Sequence, residues 1–172
     1  ALALLIIGLA RPQLGEGEAK ISASGIDIVL AIDLSGSMAS EDFEIKGQRA
    51  NRLTVAKDVL QQFVAKRVSD RLGLVAFAGR AYVASPLTLD HDFLLQNLDR
   101  LNLGSIEDGT AIGNAIATAV NRLRDSDAVS RVIVLITDGD NNAGEIPPLQ
   151  AAEIAHELGV NIYTILVGKG GM

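Results

Sequence analysis

Asp33-Leu34-Ser35-Gly36-Ser37 sets a carboxylate and two hydroxyls at alternate positions, and a second acidic run, Asp138-Gly139-Asp140-Asn141-Asn142, follows much later in the chain. Alternate side chains in a loop leaving a strand can point at one centre, and Gly36 eases the turn between them. Thr110, closing the loop Gly104–Thr110 (GSIEDGT), adds a third hydroxyl. Such an all-oxygen set suits a hard divalent cation. Mg²⁺ takes six oxygens in near-octahedral geometry at about 2.0–2.1 Å and keeps waters where protein ligands are few. Mn²⁺ or Ca²⁺ would accept the same donors, and an open position suits a carboxylate from another molecule. The chain has no cysteine and only two histidines, His91 and His156, far apart in sequence. Thiolate nucleophiles, iron–sulfur clusters and thiolate zinc sites are therefore excluded.

Each of these residues also has a plainer role open to it. Ser35 and Ser37 suit turns and caps, Thr110 suits a helix N-cap, and Asp138-Gly139 is a common turn pair. Asp108, Asp140, Asn141 and Asn142 read as solvated loop residues. His91 reads as a helix-start residue and His156 as part of a solvated helix face. Asp138, Asp140 and Asn142 imitate the start of an EF-hand loop, but Ala143 and Leu149 stand where glycine and glutamate are required. No phosphate-cradling glycine motif is present, and Asp33 stands where a serine-hydrolase elbow needs glycine. The enzymatic alternative is a Mg²⁺-dependent phosphohydrolase with Asp33 as nucleophile. It lacks a good acid, since Ser35 stands two residues on, and no pocket lysine is evident to steady a phosphoryl group.

Short apolar runs alternate with helical spacing around these loops. Ile26–Ile32, Leu72–Ala78, Arg131–Thr137 and Val160–Val167 are mostly continuous and β-branched, which predicts central strands buried on both faces. Ala81–Ala84 predicts a hairpin edge strand. Helical stripes run over Asn51–Val68, Phe93–Leu101 behind a cap at Asp90, Thr110–Arg124, and Pro148–Leu158 with Gly159 just past its end. Strands alternating with helices imply a mostly parallel α/β sheet covered on both faces. Ligands bind such sheets at the carboxyl ends of the strands, where the three loops fall.

With 172 residues, 48% of them hydrophobic, the chain makes one compact domain. Its 15 basic and 21 acidic residues give a net charge of −6, and only 3% are aromatic, which argues against nucleic acid as a ligand. Residues Ala1–Ala10 (ALALLIIGLA) are uncharged and almost wholly apolar. A bilayer span needs about 20 residues, so residues 1–12 read as the remnant of a transmembrane helix ended by Arg11 and Pro12, and 13–24 as a linker. A short buried core segment is the alternative. Arg11 and Lys20 are too few to fix an orientation.

Asp-x-Ser-x-Ser after a buried strand, a distant Gly-Thr step and a later Thr-Asp-Gly resemble the metal-ion-dependent adhesion site of von Willebrand factor type A domains. The resemblance covers about residues 25–168, with 169–172 as a severed loop. It implies a three-layer Rossmann-like fold with Asp33, Ser35, Ser37, Thr110 and Asp138 as metal residues, Asp138 acting through water. DLSGSM, SPLTLDHD, EDGTAIG and TDGDNNAG together resemble, more narrowly, the bacterial aerotolerance (Bat-type) membrane proteins. That resemblance implies a non-enzymatic protein-binding module at the bacterial cell membrane, with the periplasmic side preferred. A protein partner would supply Asp or Glu to the metal, and sister domains and MoxR-type ATPases are the associated partners.

Overall fold

The structure, a computed structural model, describes residues 25–45 and 47–168. The expected membrane remnant, linker and severed loop lie outside the described residues. Seven strands and four helices follow in the order β1 Asp27–Asp33, a 3-10 turn Gly36–Ala39, β2 Phe43–Ile45, β3 Gln48–Ala50, α1 Arg52–Ala65, β4 Arg71–Phe77, β5 Ala81–Thr88, α2 His91–Arg100, α3 Ile112–Leu123, β6 Arg131–Thr137, α4 Pro148–Glu157 and β7 Val160–Leu166. The main sheet runs β5-β4-β1-β6-β7, parallel except for the antiparallel β4–β5 edge, while β2 and β3 pair apart as a small hairpin. The fold is the three-layer α/β arrangement expected from the alternating pattern.

β1 is central and buried along its whole length, so its alternate residues feed two cores. Ile28, Leu30 and Ile32 pack with α1 and α2, and Val29 and Ala31 with α3 and α4. The chain leaves β1 for β4 on one side and later reaches β6 on the other. The carboxyl ends of β1 and β6 therefore meet where the strand order reverses, the position at which such sheets hold ligands. At the opposite end, the buried Asp27 accepts hydrogen bonds from Arg71 at 2.7 and 2.5 Å and from Ser126, fastening β1 to β4 and to the loop before β6.

β7 departs from expectation. Its apolar run predicts a central strand, but it forms the outer edge, with Tyr163 60% and Leu166 72% exposed. On the face shared with α1, two adjoining hollows lie between Val59 of that helix and Ile165 of β7. Among the described residues no helix is long and apolar enough to cross a membrane.

Candidate metal centre

Three loops meet at the strand-order reversal. Asp33 ends β1 and Thr137 ends β6, one residue beyond the Ile32–Ile136 pairing. Asp33 is wholly buried, and both its oxygens are occupied: Oδ1 accepts from the Ser35 amide at 2.8 Å and Oδ2 from the Thr137 hydroxyl at 2.6 Å. Burial pushes its carboxyl above the usual range, against the lowering effect of the Thr137 and Ser35 bonds. The hydroxyls of Ser35 and Ser37 stand 3.0 Å apart, and Ser37 donates to Asp138 Oδ1 at 2.6 Å. Asp33, Ser35, Ser37 and Asp138 are thus joined in one hydrogen-bonded run, through the Ser35 amide and the two serine hydroxyls, that draws on two strand ends.

The fifth expected residue is placed differently. Thr110 is buried at the end of its loop, but among the described residues no hydrogen bond joins its hydroxyl to the other four. Nor is it a helix cap, because α3 starts at Ile112 with Ala111 at the N-cap. The first amide of α3 is met from the β6 loop, where Asn141 Oδ1 accepts from the Ile112 amide, and Asn142 Oδ1 accepts from the Thr110 amide ahead of the helix, both at 2.8 Å. These asparagines, expected as solvated, hold the third loop in place. Asp108, expected to be solvated too, accepts from the amides of Gly36 at 2.8 Å and Gly109 at 2.9 Å. Those bonds hold its carboxyl below the usual range. Gly36 leaves little room here: a Cβ on it would come within 3.1 Å of the Asp108 carboxylate.

Two further residues carry the site and are not evident from motif spacing. Arg52, the first residue of α1, donates from Nη1 to Asp138 Oδ2 at 2.7 Å and from Nη2 to Asp42 Oδ2 at 2.7 Å. Its Nε reaches both Asp42 oxygens at 3.1 Å. Thr137 stands in the sequence as the last residue of a strand and the first of the Thr-Asp-Gly step, with no role of its own assigned to it. His91 begins α2, as expected, with Nε2 3.0 Å from the Asp70 carbonyl oxygen, and His156 is exposed on α4.

The donor chemistry fits a hard divalent cation. Among the described residues no cluster of three or more histidine or acidic side chains gathers, so a cation would rest on Asp33, the two serine hydroxyls and Asp138, with Thr110 within the same loop cluster. Oxygen donors with few charges leave positions for water or an outside anion.

Fold and loop geometry define a Rossmann-like domain with its oxygen-rich end at the strand-order reversal. The chain belongs to the von Willebrand factor type A domain family, whose sequence pattern matches residues 28–141. It is similar to the crystal structure of an aerotolerance-related membrane protein from Bacteroides fragilis, at 32% identity and TM-score 0.76 over 84% of this chain and 68% of that one. It is also similar to a Borreliella burgdorferi protein, 35% identical over 98% of this chain and 48% of the relative. A mussel byssus protein, proximal thread matrix protein 1, solved with its metal-ion-dependent adhesion motif occupied by zinc, matches at 25% identity and TM-score 0.70 over 86% of this chain and 37% of that one. The chain spans about half the length of the curated relatives it matches. The Bacteroides fragilis protein and a Vibrio fischeri neighbour are described as membrane proteins.

Proposed function

We propose that this domain binds a protein partner through a divalent cation, Mg²⁺ foremost, held by Asp33, Ser35, Ser37 and Thr110 with Asp138 behind them. The partner's Asp or Glu completes the coordination. The observation that carries the reading is the hydrogen-bonded run from Asp33 through the Ser35 amide and the Ser35 and Ser37 hydroxyls to Asp138, which gathers these oxygen donors across two adjacent strand ends. The cation, when bound, supplies a positive centre for an external carboxylate oxygen. Asp33 brings the buried negative charge that anchors it, and Thr137 and the Ser35 amide keep that carboxylate in one orientation. Ser35 and Ser37 bring neutral oxygens, and Asp138 receives the Ser37 proton so that the Ser37 lone pairs face the ion. Ser35, two residues beyond Asp33, is a poor general acid, which supports binding over turnover.

In the whole protein the domain sits at the bacterial cell membrane, beside sister domains and a MoxR-type ATPase. Pull-downs from detergent extracts test the reading with wild type in Mg²⁺, wild type in chelator, and Asp33→Ala in Mg²⁺. Partner is expected only in the first arm, and equal recovery in all three refutes the proposal.

A further inference from the structure

Arg52 is oddly placed for a purely local role. It opens α1, where a cation opposes the helix dipole, and no acidic residue stands in that first turn to offset it. Asn51 already caps the helix by accepting from the Thr54 amide at 2.8 Å, so α1 does not need Arg52 to start. The guanidinium instead bridges two carboxylates that come from different loops, Asp42 ahead of β2 and Asp138 after β6. These two partners raise its already high pKa further.

The Asp138 side chain is fully covered, and its two oxygens are divided between two donors, Ser37 on Oδ1 and Arg52 on Oδ2. An oxygen held in a charge-assisted bond to a guanidinium is a poor ligand for a second cation. The charges follow the same logic. Asp33 and Asp138 together would neutralise a divalent ion, whereas Asp33 alone leaves it with net positive charge. Asp42 limits how far Arg52 draws on Asp138, because it holds the same guanidinium through both of its oxygens.

We infer that Arg52 is a positioning residue that holds Asp138 back from the cation, so that Asp138 braces Ser37 and the ion keeps charge and an open position for an outside carboxylate. The inference rests on the cation site proposed above. Asp42 then acts as a counterweight, and its removal puts the whole Arg52 charge onto Asp138.

Mn²⁺ titration of the 172-residue chain, followed by electron paramagnetic resonance and water-proton relaxation, tests this on wild type, Arg52→Gln and Asp42→Asn. Arg52→Gln is expected to bind Mn²⁺ about tenfold more tightly and to lose relaxation enhancement as Asp138 displaces a water. Asp42→Asn is expected to bind it several-fold more weakly. A merely structural bridge would weaken both variants or leave affinity unchanged, and either result overturns the inference while leaving the cation site intact. No Mn²⁺ binding by wild type overturns the site itself and the inference with it. Should Arg52→Gln fail to fold, Asp42→Asn decides alone, since it keeps Arg52 and its contact with Asp138: several-fold weaker Mn²⁺ binding with an unchanged melting temperature in chelator supports the role, whereas affinity equal to or above wild type, or weaker binding together with a lower melting temperature, refutes it.

Discussion

Asp33 carries a buried charge that the metal-free fold accommodates at a cost. Its carboxyl titrates above the usual range because burial disfavours the ionised form more than the Thr137 and Ser35 bonds favour it. A folded value above the unfolded one means that the native state keeps the proton to higher pH. At pH below the unfolded value both states are protonated and the group is without effect. As pH rises through the folded value, the native state loses stability relative to the unfolded chain. Asparagine at this position keeps an acceptor for the Ser35 amide and removes the charge. In chelator at neutral pH, Asp33→Asn is therefore expected to melt above wild type and to lack wild type's decline from mildly acidic to neutral pH. Mg²⁺ at 100 times its dissociation constant should stabilise wild type by about 2.7 kcal/mol and the variant not at all. Thermal melts across pH, with chelator and with Mg²⁺, check both halves; a variant that melts below wild type in chelator would show that burial of the charge is not what the native state bears. At this scale the motif Asp33, Ser35, Ser37 was open to reading because its spacing is local. Arg52, Asp42 and Asp108 were not, because each acts on the site from a loop or helix whose approach is set only by the fold.

The third helix shows how one element is completed by another. α3 begins at Ile112 behind an alanine that offers no side-chain cap, and its first amide is met by Asn141 from the loop after β6, while Asn142 holds the Thr110 amide just ahead of the helix. Losing a capping acceptor costs about 1 kcal/mol. Asn141→Ala is thus expected to lower unfolding free energy by about that amount in urea, with the slope of the transition unchanged. Asn141→Asp, which keeps the acceptor and adds a favourable charge at a helix N-terminus, should recover the loss. An Asn141→Ala midpoint equal to wild type would mean that solvent serves the Ile112 amide as well. Strands β1, β4 and β6 and all four helices were legible because periodicity and start signals lie within each segment; Asp90, for example, accepts from the Phe93 amide at 2.9 Å. The β2–β3 hairpin was not, being only three residues on each side with no run to betray it. β7 misled for a different reason: an apolar run reports a strand that packs well but not what stands beside it. The close approach of α3 to the following loop was hidden too, since a Cβ on Gly113 would lie 1.8 Å from the Ile146 carbonyl oxygen, a demand no local pattern announces.

Over the whole molecule, charge and function pull in opposite directions. The chain carries a net charge of −6, yet the proposed partner group is a carboxylate. The attraction must come from the cation at close range, while the rest of the surface repels an acidic ligand from a distance. Salt separates these two effects. The Debye length falls from about 30 Å at 0.01 M ionic strength to about 8 Å at 0.15 M, so distant repulsion is screened while direct coordination at a few ångströms persists. Across that range a Glu-containing peptide is expected to bind the Mg²⁺-loaded domain more tightly, by about two- to threefold, chiefly through a faster association rate. Ordinary charge-steered docking would weaken over the same range. Surface-binding kinetics at several salt concentrations, with Mg²⁺ held saturating, read the sign directly. A decline in affinity with salt would mean that the peptide is drawn in by basic surface groups, and that the metal at the strand ends is not what it recognises.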